Sequence, residues 1–205
     1  MKISKSIYLI LIYFMAWMAN PVNVLAGNKP EQIVRILSDR QMAHQGEQFK
    51  IFAEYNTSDG NKTTGLGIKV YYDSSCVTLK SSEFYDSGDS GIISIPLHKQ
   101  DRDNDDGDER TDYSISIGWL FWTQSWPKDQ DIPFNVMTLT FIVNCHSNCQ
   151  LANFNVTSTS EDINYQFSGF NNQVHVLDTF KSDINKDCSV NLIDAIELIK
   201  HVSQE

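Results

Sequence analysis

The chain has 205 residues, with 16 Lys and Arg set against 26 Asp and Glu, a formal net charge of −10. Such an acidic excess repels phosphate backbones and anionic lipid, which excludes nucleic acid and membrane surfaces as partners. Hydrophobic residues make up 41% of the sequence, enough to pack one domain of ordinary size with an appendage.

The opening "MKISKSIYLILIYFMAWMANPVNVLAG" places Lys2 and Lys5 ahead of an apolar run from Ile7 to Ala19. Pro21 and the small residue Ala26 follow, the order of a secretory signal peptide with cleavage before Gly27. The run is short for a bilayer span, so an uncleaved anchor is the lesser alternative. Residues 1–26 hold two Lys and no acid, so their removal takes the net charge from −10 to −12. The expectation is a secreted, extracellular protein without a membrane segment.

An exported chain favours disulfides over free thiols. The four cysteines are Cys76, Cys145, Cys149 and Cys188. "CHSNC" spaces Cys145 and Cys149 so that they can close a small loop, and this is the preferred pairing. Whether Cys76 then meets Cys188 stays open. A zinc site on Cys145, His146 and Cys149 lacks a second ligand pair and ranks lower.

From Gln32 to Leu177 the dominant hydrophobic period is two. It sets Phe49, Ile51, Ala53 and Tyr55 on one side, then Leu66, Ile68, Val70 and Tyr72, then Tyr113, Ile115, Ile117, Trp119 and Phe121, then Leu139, Phe141 and Val143. Shorter strands are predicted at 33–37, 77–79, 92–95, 154–156, 165–167 and 174–177, separated by Asn, Asp, Gly and Ser turns. Many short strands without intervening helices predict an all-β fold, an antiparallel β-sandwich over residues 27–178.

The acidic stretch "KQDRDNDDGDERTD" at 99–112 interrupts that pattern. Crowded like charges require solvent or a cation. Asp101, Asp103 and Asp105 alternate as calcium ligands do, although Gly107 stands one place later than a calcium loop uses for its sharp turn. A second ion and a solvated loop are the two readings. Trp119 and Trp122 follow on opposite faces of a strand, and Trp122 and Trp126 are candidates for stacking on sugar rings, against the alternative that these aromatics pack the core.

The tail "DINKDCSVNLIDAIELIK" differs in kind. Calcium takes about six to eight oxygens, supplied by positions 1, 3, 5, 7, 9 and 12 of an EF-hand-like loop. Counted from Asp183, these are Asp183, Asn185, Asp187, the carbonyl of Ser189, Asn191 and Asp194. Cys188 occupies the turn position that favours Gly, and the twelfth ligand is Asp rather than the longer Glu. Beyond it, Leu192, Ala195, Ile196, Ile199 and Val202 share one face of a predicted helix. An Asx-rich turn that caps the helix without a metal is the alternative.

That tail resembles one repeat of a dockerin, a bacterial calcium-loop-and-helix module that plugs polysaccharide-degrading enzymes and surface proteins into cohesin domains. The resemblance implies calcium as cofactor, the ligand set above, and Leu192 and Ile193 as partner-facing. A dockerin carries this repeat doubled, and the tail shows one copy.

The body is similar to cohesin-like domains, jelly-roll sandwiches related in fold to carbohydrate-binding modules. The likeness is carried by "LGIKVYYDSSCVTL", "DIPFNVMTLTFIV" and "NFNVTSTSEDINYQFSGFNNQVHV". It implies a cohesin-like domain at 27–178 and a dockerin-like loop and helix at 179–205.

His44, His98, His146, His175 and His201 are scattered without a nucleophile motif, so catalysis is not expected. The function expected is extracellular protein assembly through cohesin- or dockerin-type partners, with self-association as a variant and a link to polysaccharide. The alternative is a carbohydrate-binding sandwich in which the calcium loop is purely structural.

Overall fold

The computed structural model describes residues 29–86, 92–93, 96–121, 126–128, 130–144, 149–177, 184 and 191–203. Twelve strands run in chain order: β1 (Glu31–Ser38), β2 (Met42–His44), β3 (Gln48–Thr57), β4 (Gly65–Tyr72), β5 (Val77–Phe84), β6 (Ile92–Ile93), β7 (Leu97–Gln100), β8 (Tyr113–Leu120), β9 (Phe134–Val143), β10 (Leu151–Ser160), β11 (Gln166–Phe170) and β12 (Asn172–Leu177). One helix follows, α1 (Leu192–Val202). No described helix is long and apolar enough to cross a membrane.

The strands form two sheets, ordered β11-β1-β3-β9-β5 and β2-β12-β10-β4-β8-β6, with β7 pairing to β8. Alternation explains why the sheets stack. Phe49, Ile51, Ala53 and Tyr55 of β3 are all at most 2% exposed, and Leu66, Ile68 and Val70 of β4 face them, equally buried. The predicted inward residues Ile115, Ile117, Trp119, Leu139, Phe141 and Val143 all lie in this core. Phe49 stacks on Phe141 and meets Phe154 of the opposite sheet edge-on, at centroid distances of 6.0 and 5.9 Å.

The expected antiparallel pairing holds through the middle of both sheets and fails at two places. β1 pairs with β11 in parallel, from Glu31 beside Gln166 to Arg35 beside Phe170. β12 likewise runs parallel to β2, from His175 beside Met42 to Leu177 beside His44. Parallel neighbours need a long return path. Here the chain crosses between sheets, β11 joining the first and β12 the second, so no helical crossover is required.

The core between the sheets also takes in Trp126, which lies in no strand. Thr63 and Trp126 exchange both backbone hydrogen bonds, at 2.9 and 3.0 Å. This carries the indole among Tyr55, Trp119 and Phe134, with centroids 4.6, 5.6 and 5.9 Å away. Trp126 is 0% exposed, so the sequence-based assignment of this side chain to sugar stacking is corrected. Trp122 lies outside the described residues.

Candidate functional site

Four of the tail positions singled out in the sequence, Asp183, Asn185, Asp187 and Ser189, lie outside the described residues. Asn191 and Asp194 lie inside them and set the start of α1. Asn191 is extended (φ −143°, ψ −172°), and its Oδ1 accepts the N–H of Ile193 at 2.7 Å. Asp194 reaches back, its Oδ2 accepting the N–H of Asn191 at 2.8 Å, which completes a capping box. Its other oxygen accepts the N–H of Ile184, also at 2.8 Å.

Asp194 therefore holds the backbone of both Ile184 and Asn191, and it is only 2% exposed. An ionised carboxylate oxygen carries two acceptor sites. The donor set present, a buried carboxylate and the Asn191 amide, fits a hard cation such as calcium.

The rest of α1 behaves differently. Leu192, Ile199 and Val202 are 74, 67 and 69% exposed, and Ala195 and Ile196 of the same predicted face are exposed as well. Asp194 is the one buried residue of the helix. An amphipathic helix ordinarily turns such a stripe toward a core. Lys200 and His201 in its last turn complement the helix dipole.

The acidic insert is held by the protein itself. Asn104 (φ 52°) and Gly107 (φ 77°) take left-handed backbone, which folds the loop back toward the second sheet. Asp105 Oδ2 lies 2.6 Å from Lys69 Nζ on β4. From β10, Asn155 donates to Asp106 Oδ2 at 2.9 Å and Asn153 to Asp108 Oδ2 at 2.8 Å. Asp112, twelfth in order from Asp101, accepts both the N–H and the hydroxyl of Ser74, at 2.7 and 2.6 Å.

Asp101 accepts the N–H of Asp105 at 3.0 Å, and Asp103 is exposed. The three proposed ligands Asp101, Asp103 and Asp105 are not gathered around one point. Among the described residues, the one group of three or more potential ligands whose atoms lie within 4.8 Å of one another is Asp73, Cys76 and Cys149.

There both sulfurs are committed, because Cys76 and Cys149 form a disulfide. This corrects two readings at once: Cys149 does not pair with Cys145, and it is not a zinc ligand beside Cys145 and His146. The reason is topological. β4 and β10 are antiparallel neighbours, with Tyr72 beside Phe154, so the chain leaving β4 through Cys76 meets the chain entering β10 from Cys149. An open cavity of about 660 Å³ adjoins the bridge, lined by Asp73, Ser75, Arg110 and Gln150.

Sequence reasoning missed a buried polar node. Gln32 is 0% exposed; its Nε2 donates to the Gly65 carbonyl at 2.8 Å and lies 3.1 and 3.2 Å from Tyr55 Oη and Thr63 Oγ1. Its Oε1 accepts the N–H of Asp162 at 2.8 Å. Asp162 in turn takes the N–H and hydroxyl of Thr64, at 2.9 and 2.8 Å. Burial, only partly opposed by the bonds to Thr63 and Gln32, pushes the Tyr55 phenol up to about 12, so it stays neutral. Burial raises Asp162 too, but the bonds from Asn164 and Thr64 outweigh it and hold the carboxyl below its usual range. The signal was present in β1, where period two places Gln32 on the same face as Val34 and Ile36.

No protein-family model matches the sequence, and no curated protein does. Among solved structures, the chain is similar to the seventh ScaB type I cohesin from Pseudobacteroides cellulosolvens, at 15% identity and a TM-score of 0.46, covering 75% of this chain and 96% of that one. It is similar to the sixth cohesin of scaffoldin B from Acetivibrio cellulolyticus, in complex with a Cel5 dockerin, at 12% identity and a TM-score of 0.49, covering 72% and 99%. A cohesin from Clostridium thermocellum in complex with a dockerin gives 12% identity and a TM-score of 0.47, covering 73% and 100%. The two-sheet architecture itself stands on the strand pairings given above.

Proposed function

We propose that the chain is a non-catalytic, extracellular interaction module: a cohesin-like sandwich whose tail, ordered by calcium, is the point of attachment to another protein. One observation carries this reading. α1 is capped and aligned at its start by buried Asp194, yet its apolar stripe of Leu192, Ile196, Ile199 and Val202 stands in solvent. A helix of this length is marginal alone in water. Exposed apolar stripes on a positioned helix mark protein interfaces.

Calcium in this reading is held by Asp183, Asn185, Asp187, the Ser189 carbonyl, Asn191 and Asp194, and it fixes the direction in which the helix points. Export is proposed on the signal-like residues 1–26. A role in polysaccharide degradation would come through the partner, since buried Trp126 removes one of the two proposed sugar platforms.

Calorimetric titration of the full chain with calcium, alongside circular dichroism, tests the proposal. The expected result is one ion per chain, a rise in helicity on binding, and capture by an immobilised cohesin or dockerin module that chelator abolishes. Unchanged metal uptake after Asp183→Ala and Asp187→Ala together would overturn it. Two ions would bring in Asp101, Asp103 and Asp105, and retention on polysaccharide that ignores chelator would favour the carbohydrate-binding alternative.

A further inference from the structure

The sequence contains three Asn-x-Ser/Thr triplets: Asn56-Thr57-Ser58, Asn61-Lys62-Thr63 and Asn155-Val156-Thr157. In an exported chain such triplets are acceptors for N-linked saccharide, a bulky polar group that a folded domain tolerates only at its surface. The structure separates the three sharply.

Asn155 sits beneath the acidic insert, its Nδ2 donating to Asp106 Oδ2 at 2.9 Å and lying 3.4 Å from Asp108 Oδ2. A sugar on that nitrogen would displace the insert from β10. Asn56 is half-buried within β3, where it pairs with Ile33 of β1, and its Oδ1 accepts the N–H of Thr57. Asn61 lies in the turn from β3 to β4, and Ser58, Asp59, Gly60 and Asn61 are all exposed. A Cβ built at neighbouring Gly60 meets nothing within 4 Å, so the space around this tip is open. Asp59 pins the acceptor, taking the Asn61 N–H at 3.1 Å and the side-chain Nδ2 at 2.8 Å.

We propose that Asn61 is an N-glycan acceptor, modified during export by transfer from a lipid-diphosphate-linked saccharide; the proposal rests on the export reading above. In the transfer, Asn61 Nδ2 forms a bond to C1 of the saccharide as the C1–oxygen bond to the diphosphate breaks. The electron pair leaves with that oxygen, and the amide proton lost from Nδ2 ends on the released lipid diphosphate. The +2 hydroxyl fixes the timing. Thr63 is 0% exposed and its Oγ1 is engaged by Gln32 and Tyr55, so a transferase can read it only before the sheets close. Folding then retains a saccharide at Asn61 and opposes one at Asn155.

The test is production of the full chain in a host with N-glycosylation, behind a host leader placed ahead of Met1, so that delivery does not depend on the chain's own residues 1–26. Peptide mapping by mass spectrometry of the folded product should find glycan on the Asn61 peptide and none on Asn155. N61Q, a change at an exposed side chain, should lose that mass entirely and retain the parent's melting curve. An exported, folded chain with unmodified Asn61, or with glycan on Asn155, would overturn the proposal. The calcium titration is unaffected by either result, so failure of the glycan proposal is distinguishable from failure of the calcium reading.

Discussion

Lys69 Nζ lies 2.6 Å from Asp105 Oδ2, and this pair ties the most acidic stretch of the chain to the centre of the second sheet. The Lys69 ammonium, through its hydrogen bond and then its charge, holds the Asp105 carboxyl below its usual range. Nearby Asp108 is raised by burial, but bonds from Arg110 and Asn153 outweigh this and also leave it lowered. Depressed carboxylates contribute stability that is present above their unfolded value of about 3.9 and lost as pH falls through their folded values. Melting temperature measured between about pH 2 and pH 5 should therefore fall steeply toward acid. Lys69→Met should flatten that limb and remove part of its salt dependence; an identical acid limb in the variant would disprove the assignment.

The buried node gives a larger effect. Gln32→Leu keeps the volume but strips the Asp162 N–H of its acceptor and the Gly65 carbonyl of its shorter donor, leaving it the 3.4 Å contact from the Thr63 hydroxyl. Each unsatisfied buried group costs about 1–3 kcal/mol. Urea unfolding should show a loss of roughly 2–5 kcal/mol with an unchanged denaturant slope.

Non-reducing peptide mapping should join Cys76 to Cys149. Their separation of 73 residues closes a long loop in the unfolded chain. Cys149→Ser should then cost about 2–5 kcal/mol, read from the same urea curves, while a bridge between Cys145 and Cys149 would refute the pairing.

Asp194→Ala removes both the capping box and the clasp on Ile184. Loss of a cap costs a helix about 1 kcal/mol. Far-ultraviolet dichroism should show α1 melting while the sandwich signal is kept, and calcium should no longer restore it. Asp194→Asn, which retains an acceptor oxygen, should recover part of the helix but little of the metal response.

The sandwich was legible because β3, β4, β8 and β9 are each long enough to repeat their alternation several times. Short margins such as β2, with three residues, and β7, whose four are all exposed, carry no such pattern. The parallel neighbours could not be read, because nothing in β1 states that it will meet β11. Cys149 misled for the same reason: closeness in sequence pointed to Cys145, whereas the pairing of β4 with β10 decided its partner. At the tail, Asn191 and Asp194 were read as calcium ligands, and the structure shows them as the cap of α1. Trp126 was misjudged because its burial comes from a bridge to Thr63 that no local pattern announces.

The parallel pairings have a mechanical corollary. A domain suspended between two anchors is pulled through its first and last strands, β1 and β12. Each lies beside a strand running the same way, so tension drags it lengthwise past its neighbour. The rungs from Glu31–Gln166 to Arg35–Phe170, and from His175–Met42 to Leu177–His44, then share the load instead of parting one after another. These two short ladders add to the antiparallel ones that tie β1 to β3 and β12 to β10, and a proline placed at Val34 or Val176, which removes a donor from its strand, should lower the force at which single-molecule stretching opens the domain.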